Sequence, residues 1–450
     1  MTDYKEFFKG KRITILGLGL LGRGLGDVIF LAECGADLIV TDLKSEKELE
    51  PSLKKLRRFK NIRYTLGRHD PADFRGRDFI LKAAGVPLDS QFIAEARKEN
   101  TPVEMDASLF IKLAPPINFI GITGTRGKTT TTLLIFEILK AAEKKVYLGG
   151  NIKDAATLPL LAKVKKGDYI VAELDSWQLQ GFHDSKISPN VAVFTTFFDD
   201  HLIYYKGDSE KYFRDKEAIF RYQKSGDTLI AGEQAAVRVR EARPPVAPLI
   251  ARASDVLSDW KLKIIGEHNR ANAACAIAAT RALGISESVI KKAVENFKGV
   301  PGRLELIRTV RGVKIYNDTT ATTPEATIAA LRALRELRKE KKNIILICGG
   351  TDKGLDMSEL VDAIPKYCKA VVLFKETGTD KIKLQVQNLK LKYRNLEIME
   401  RDGLWECLKE AIKLGEKGDI ILFSPAFASF GMFKNEYDRG EQFNKIVSSL

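Results

Sequence analysis

Residues 117–122 form an apolar run that ends in Thr123-Gly124-Thr125-Arg126-Gly127-Lys128-Thr129-Thr130, and residues 131–142 follow with helical spacing. A strand that enters a helix through a glycine loop points to a layered α/β fold. It also makes an anion cradle. Glycines let backbone N–H groups wrap phosphate oxygens, and the helix N-terminus adds partial positive charge. Gly124, Thr125, Gly127 and Thr130 complete the loop; Lys128 would neutralise terminal phosphates and the Thr129 hydroxyl would ligate Mg²⁺. The common phosphate-loop pattern requires glycine at position 122, where Ile122 stands, so this loop is a shortened G-x-x-G-K-T. A glycine turn with a helix-capping threonine is the plain structural alternative.

A chain of 450 residues exceeds a single core, and about 150 residues per domain suggests three. Residues 12–16 read as a strand running into Gly17-Leu18-Gly19-Leu20-Leu21-Gly22, then a helix, then a strand ending at Asp42. This is the order of the Rossmann fingerprint, whose acid meets a ribose hydroxyl. A second glycine turn, Ala83-Ala84-Gly85-Val86-Pro87, follows strand 78–82. The prolines at 115 and 116 and the glycine–proline hinge 299–303 divide the rest. The domains expected are 1–112, 113–298 and 299–450. The fold class is α/β: a Rossmann-like N-terminal domain, a central P-loop ATPase-like domain with a parallel sheet, and a Rossmann-like C-terminal domain.

No stretch approaches the ~18 uninterrupted apolar residues of a membrane span, and the charged opening residues are unlike a signal peptide. Five scattered cysteines without CxxC spacing fit a reducing cytoplasm and neither a disulfide nor a zinc framework. The formal net charge is +14. No tract interleaves the lysines with aromatics, so the charge fits an enzyme of anionic small molecules better than a nucleic-acid face.

Several residues lie where parallel sheets bind ligands, beyond the carboxyl ends of strands. Glu173 ends strand 168–173 and could hold Mg²⁺ or simply cap a helix. Asn151 follows Gly149-Gly150. Asp200-His201 ends another strand and could ligate a metal or orient phosphate. Asn269 and Asn272 lie three apart on a helix and could read an adenine edge or cap it. Lys216, by pattern alone, is a solvated helical lysine. Arg303, Asp318, Lys353 and the loop 424–430 each read two ways when taken singly.

Together these residues resemble the Mur ligases, ATP-dependent amide-forming enzymes of peptidoglycan synthesis, over essentially the whole chain. The shortened phosphate loop is similar to the family's Gly-Thr-x-Gly-Lys-[Ser/Thr]-Thr. Matching landmarks are Gly150-Asn151, Glu173 to Leu179, Asp200-His201, His268-Asn269 with Asn272, Pro301-Gly302-Arg303, Asn317-Asp318, Gly349-Gly350 with Lys353, and Ser424-Pro425-Ala426. Phe433-Lys434-Asn435 followed by Arg439-Gly440 resembles the members that add D-glutamate. The resemblance implies that Lys128, Thr129, Glu173 and His201 organise ATP and two Mg²⁺ ions. Lys216 matches the family lysine that CO₂ carbamylates, an anionic metal ligand in that form. Asn269 and Asn272 would contact adenine, and Arg303 and Asp318 phosphate and ribose. Thr322, Lys353, Ser429 and Phe430 would hold D-glutamate. Gly19, Leu20, Leu21, Asp42, Gly85 and Asn151 would hold the UDP of the muramoyl substrate.

The chain departs from the family pattern at Leu21, Gly302, Ile203, Thr319-Thr320 in place of Ser-Lys, and Glu436 in place of an aromatic. The resemblance implies phosphorylation of the carboxylate of UDP-MurNAc-L-Ala, then attack by the D-glutamate amine, with Asp200 or His201 taking its proton and Arg303 stabilising the transferring phosphoryl group. It further implies a cytoplasmic, monomeric enzyme acting on small molecules with no nucleic-acid or membrane partner. A Mur ligase for a different amino acid, a nucleic-acid-dependent P-loop ATPase and a non-catalytic nucleotide sensor are the alternatives.

Overall fold

The computed structural model describes residues 3–20, 22–152, 155–200, 204–336 and 343–450, so Leu21 and His201 lie outside the described residues. Three β-sheets follow one another along the chain. The first contains β1 (Arg12–Leu16), β2 (Asp37–Asp42), β3 (Ile62–Leu66), β4 (Phe79–Lys82) and β5 (Val103–Glu104), in the order β3-β2-β1-β4-β5 and parallel throughout. Continuous apolar strands such as Ile13–Leu16 are buried on both faces, as a helix-covered parallel sheet requires. The strand order reverses at β1, so its glycine turn opens at the switch point where ligands bind such sheets.

The second sheet contains β6 (Asn118–Thr123), β7 (Val146–Gly150), β8 (Tyr169–Glu173), β9 (Val191–Phe194), β10 (Thr228–Gly232) and β11 (Leu249–Ala251), in the order β11-β10-β9-β6-β8-β7, again all parallel. The phosphate loop leaves β6, between β8 and β9. Its helix is Lys128–Ala141, starting three residues earlier than the apolar spacing indicates, because Gly127 at φ 86° is the N-cap. Lys128 and Thr129 therefore stand in the first turn, whose N–H groups have no partner within the helix.

The third sheet keeps the α/β class with one strand reversed. It contains β12 (Glu305–Val310), β13 (Val313–Asn317), β14 (Ile344–Cys348), β15 (Cys368–Phe374), β16 (Glu397–Arg401) and β17 (Ile420–Phe423), in the order β12-β13-β17-β14-β15-β16. The sheet is mixed, because β12 runs antiparallel to β13 while the other pairs are parallel. The cause is local. Arg311 and Gly312, at φ 49° and 81°, form a two-residue hairpin turn. Sequence patterning also missed β3, β5, β11 and β12. Two of these are only two or three residues long, and the other two leave much of their surface exposed.

The chain forms two compact units, residues 1–260 with 271–294, and residues 261–270 with 295–450. In the first, the two leading sheets share one apolar core that runs from Ile13 and Val28 through Leu158 and Ile170 to Phe194. Leu158 donates its N–H to Asp27 Oδ1 at 3.2 Å. Gly26 approaches Ala156 so closely that an added Cβ would lie 2.5 Å from Ala156 Cβ. The second unit buries apolar residues on both faces of its own sheet. No described helix is long and apolar enough to cross a membrane.

Candidate active site

The phosphate loop is pinned by the end of β9. Thr125 donates its N–H to Thr196 O at 2.8 Å, Arg126 donates its N–H to Thr196 Oγ1 at 2.9 Å, and Thr195 Oγ1 donates to Arg126 O at 2.6 Å. The two loop glycines are sterically required. Cβ atoms at Gly124 and Gly127 would each stand 2.1 Å from a side-chain oxygen, Thr195 Oγ1 and Asn272 Oδ1 respectively, and both residues have positive φ. Lys128 folds back over the loop, with Nζ donating to Gly124 O at 3.0 Å and Thr125 O at 3.1 Å. Asn272 is thus brought to the loop. Asn269, on the same helix Glu267–Ala282, donates Nδ2 to Ile265 O at 2.9 Å and belongs to the second unit.

Glu173 ends β8 directly beside Ile122 of β6. It is 4% exposed, and its Oε2 has no hydrogen-bond partner among the described residues. The backbone around it is tight, since Asn151 donates its N–H to Glu173 O at 2.7 Å. Lys216 overturns its reading as a solvated helical charge. It is 1% exposed on helix Ser209–Arg221, over the ring of Tyr212, with Nζ 3.1 Å from Gly124 O and 3.5 Å from Thr123 Oγ1. Burial and then the neighbouring Lys128 charge drive its pKa well below that of an ordinary lysine, against the pull of Asp175, Asp200 and Glu173. Asp200 accepts from Arg126 Nη1 at 3.1 Å.

The oxygen donors at this loop are a carboxylate, Glu173, and the threonine hydroxyls. Oxygen ligands suit Mg²⁺, and the unpartnered buried Glu173 oxygen fits a cation. No three His, Cys, Asp or Glu side chains converge on a metal position among the described residues.

At the first sheet, Asp42 accepts from the N–H groups of Leu18 (2.9 Å) and Gly19 (3.0 Å) through one oxygen and from Lys44 N–H (2.9 Å) through the other. Its carboxylate thereby shapes the glycine turn. Leu20 stands half exposed beside it. Gly85 has no atom within 4 Å of where a Cβ would sit.

In the second unit Leu304, at φ 45°, follows Arg303 and donates its N–H to Asp318 Oδ1 at 3.0 Å. Ser424 Oγ donates to Asp318 Oδ2 at 2.8 Å. Burial raises the Asp318 carboxyl to about 7, although Ser424, Leu304 and Arg303 all favour its anion. The loop carrying Lys353 pairs with the loop carrying Ser429 and Phe430, through the Thr351–Ala428 bridge and through Gly431 N–H donating to Thr351 Oγ1 at 2.9 Å. Ser429 is buried, Phe430 exposed and Thr322 half-buried.

Arg439 entered the sequence reading only as part of a terminal pattern. It is fully buried and donates to Thr319 Oγ1 and O and to the carbonyls of Phe427 and Ala428, at 2.8–3.2 Å. Burial lowers its pKa to about 10. Arginine is so seldom fully buried that nothing local in the chain points to this clamp.

A glycine loop entering a helix from a parallel sheet, in a chain whose second unit carries a mixed sheet, is an α/β architecture suited to a nucleotide's phosphates. Residues 122–246 match the Mur ligase middle domain, and residues 302–427 match the Mur ligase glutamate ligase domain. The UDP-N-acetylmuramoylalanine–D-glutamate ligase of Roseiflexus sp. (strain RS-1) is 36% identical over 98% of this chain and 99% of that protein. The protein of the same name from Acetivibrio thermocellus is 34% identical over 100% and 99%. Among solved structures, the UDP-N-acetylmuramate-alanine ligase MurC of Thermotoga maritima superposes with TM-score 0.64 at 22% identity, over 98% of this chain and 99% of that one. MurF ligase of Thermotoga maritima in complex with ADP superposes with TM-score 0.58 at 18% identity, over 99% and 97%. These two show the fold. The chain belongs to the Mur ligase family of ATP-dependent amide-bond-forming enzymes.

Proposed function

We propose that this chain joins D-glutamate to UDP-N-acetylmuramoyl-L-alanine with consumption of ATP. The observation that carries the reading is Lys216, a buried lysine of lowered pKa held 3.1 Å from the Gly124 carbonyl of the phosphate loop. Full-length similarity to proteins named for D-glutamate addition supports the choice of amino acid. A neutral Nζ can add to CO₂ and release a proton; the resulting carbamate would be an anionic oxygen ligand, and with Glu173, Thr129 and His201 it would hold the metal. Mg²⁺, two ions in this reading, would neutralise phosphate charge.

A carboxylate does not react with an amine unaided, because its oxygen is a poor leaving group. The L-alanine carboxylate of the substrate attacks the γ-phosphorus, ADP departs, and an acyl phosphate forms. The D-glutamate nitrogen then attacks the acyl carbon, its proton passes to Asp200 or His201, and phosphate leaves. Lys128 and Arg303 stabilise phosphoryl charge. Gly124 to Thr130 bind ATP with Asn269, Asn272 and Asp318. Gly19, Leu20, Leu21, Asp42, Gly85 and Asn151 hold the UDP moiety, and Thr322, Lys353, Ser429 and Phe430 hold the amino acid. The functional domains are 1–112, 113–298 and 299–450, and the enzyme works as a cytoplasmic monomer.

The test is phosphate release with an amino-acid panel. It should require both UDP-MurNAc-L-Ala and D-glutamate, and equal turnover with L-alanine or a diamino acid refutes the specificity. Thr320 and Glu436 favour this control, since they replace a lysine and an aromatic of the family pattern. Lys216→Ala should lose most activity and regain part of it with short carboxylates. Full activity in that variant removes Lys216 from the chemistry.

A further inference from the structure

Lys82 ends β4 and has no part in the chemistry above. Its side chain is 2% exposed. Nζ donates to Ala83 O at 3.2 Å, Ala84 O at 3.0 Å and Val86 O at 2.8 Å. An ammonium has three N–H donors, so one lysine engages three carbonyls of a single turn, with Gly85 between them. Burying that charge is costly, and it lowers the Lys82 pKa to about 8. Four acids oppose the shift, in the order Asp175, Asp215, Asp184 and Asp106. Three helices of the same compact unit supply them. Asp175 caps Ser176–Ser185, which includes Asp184; Asp106 begins Asp106–Leu113; and Asp215 directly precedes Lys216. The turn also abuts the first glycine turn. Ala83 donates its N–H to Leu16 O at 2.9 Å, and a Cβ on Gly17 would lie 3.0 Å from Ala83 Cβ.

We propose that Lys82 is a positioning residue for the nucleotide-sugar substrate, drawing the carbonyls of the 83–86 turn inward so that the Gly85 backbone faces the ligand beside the glycine turn of β1. This rests on the reading that the first sheet holds UDP. Lys82 thereby holds the 83–86 turn in shape against the glycine turn of β1, which it meets through the Ala83–Leu16 hydrogen bond and at Gly17, where the nucleotide end of the substrate would lie.

The experiment compares full-length wild type, Lys82→Met, Gly85→Ala and the double variant by phosphate release. UDP-MurNAc-L-Ala and ATP are varied separately, and thermal unfolding is measured in parallel. Lys82→Met should raise KM for the UDP substrate about tenfold, the worth of roughly one charge-assisted hydrogen bond, with kcat and the ATP KM nearly unchanged. Gly85→Ala meets no protein atom and should raise the same KM through the ligand alone. The double variant should fall short of the product of the two effects, because both act on one turn. An unchanged KM in Lys82→Met beside a raised KM in Gly85→Ala overturns the role of Lys82 and leaves the substrate reading standing. Unchanged values in both overturn the placement of UDP on this turn. A wild-type chain that does not use UDP-MurNAc-L-Ala overturns the substrate reading itself. Should Lys82→Met fail to fold, Lys82→Arg keeps the charge but not the three-donor geometry, and the same KM comparison decides.

Discussion

Gly127→Ala separates backbone strain from the closeness of the phosphate loop to its surroundings. Gly127 sits at φ 86°, and an added Cβ would stand 2.1 Å from Asn272 Oδ1, far inside ordinary contact. Forcing alanine into the left-handed region costs about 1–2 kcal/mol, and overpacking a closed site adds roughly 1–3 kcal/mol. The total is ~2–5 kcal/mol, divided between lost stability and lost nucleotide affinity. Gly226→Ala is the control, because Gly226 has φ 95° and no atom within 4 Å of the added Cβ. It should lose only the strain, about 1–2 kcal/mol, all of it in stability. The assay is ADP titration by calorimetry together with chemical unfolding of both variants. If Gly127→Ala binds ADP as wild type does and unfolds like Gly226→Ala, the loop is not closed against Asn272 and the reasoning fails.

Two other perturbations follow from buried charge. Burial, and then Asp106, raises the Asp27 carboxyl well above its ordinary range. The native state therefore keeps a proton that the unfolded chain releases near pH 3.9, and stability falls as pH rises from that value through the raised one. Asp27→Asn retains an oxygen for the Leu158 N–H, so its Tm relative to wild type should rise as pH climbs above the ordinary carboxylate range; parallel pH profiles refute the assignment. Arg439→Met leaves acceptors on Thr319, Phe427 and Ala428 without their donor and should destabilise the chain by ~2–5 kcal/mol, with a raised amino-acid KM. Wild-type unfolding and an unchanged KM would show that the clamp is dispensable.

The phosphate loop, the switch-point turn and the α/β class were legible because each depends on local chemistry: glycines where φ is positive, apolar runs where both faces are covered. Lys216 was illegible to patterning and reachable only by resemblance. Its helix shows a charged stretch, and nothing local says that this lysine points into the core. Arg439 is a similar case, since its partners at Thr319, Phe427 and Ala428 are brought to it by the tertiary fold, whereas Lys82 caps the carbonyls of its own turn from a strand end that reads as apolar. Strand β12 was missed because its side chains are largely exposed, and its antiparallel direction followed from two backbone angles at Arg311 and Gly312. Asp42 was singled out by spacing as a ribose partner, and that spacing did not show that its carboxylate accepts from the Leu18 and Gly19 N–H groups of the turn and from Lys44 N–H.

The shared core of the first two sheets has a consequence for how the chain can be divided. Residues 1–112 carry a complete parallel sheet and a glycine turn, and under the proposed function they are a module. By folding they are not, because Val28, Leu31 and Phe110 belong to the same apolar cluster as Leu158, Phe182 and Phe194. A cut at the functional border would expose that surface on both fragments. A recombinant fragment that survives alone must therefore run to the end of the second sheet, and a swap of substrate-recognition modules between relatives must carry the matching face of the central domain with it.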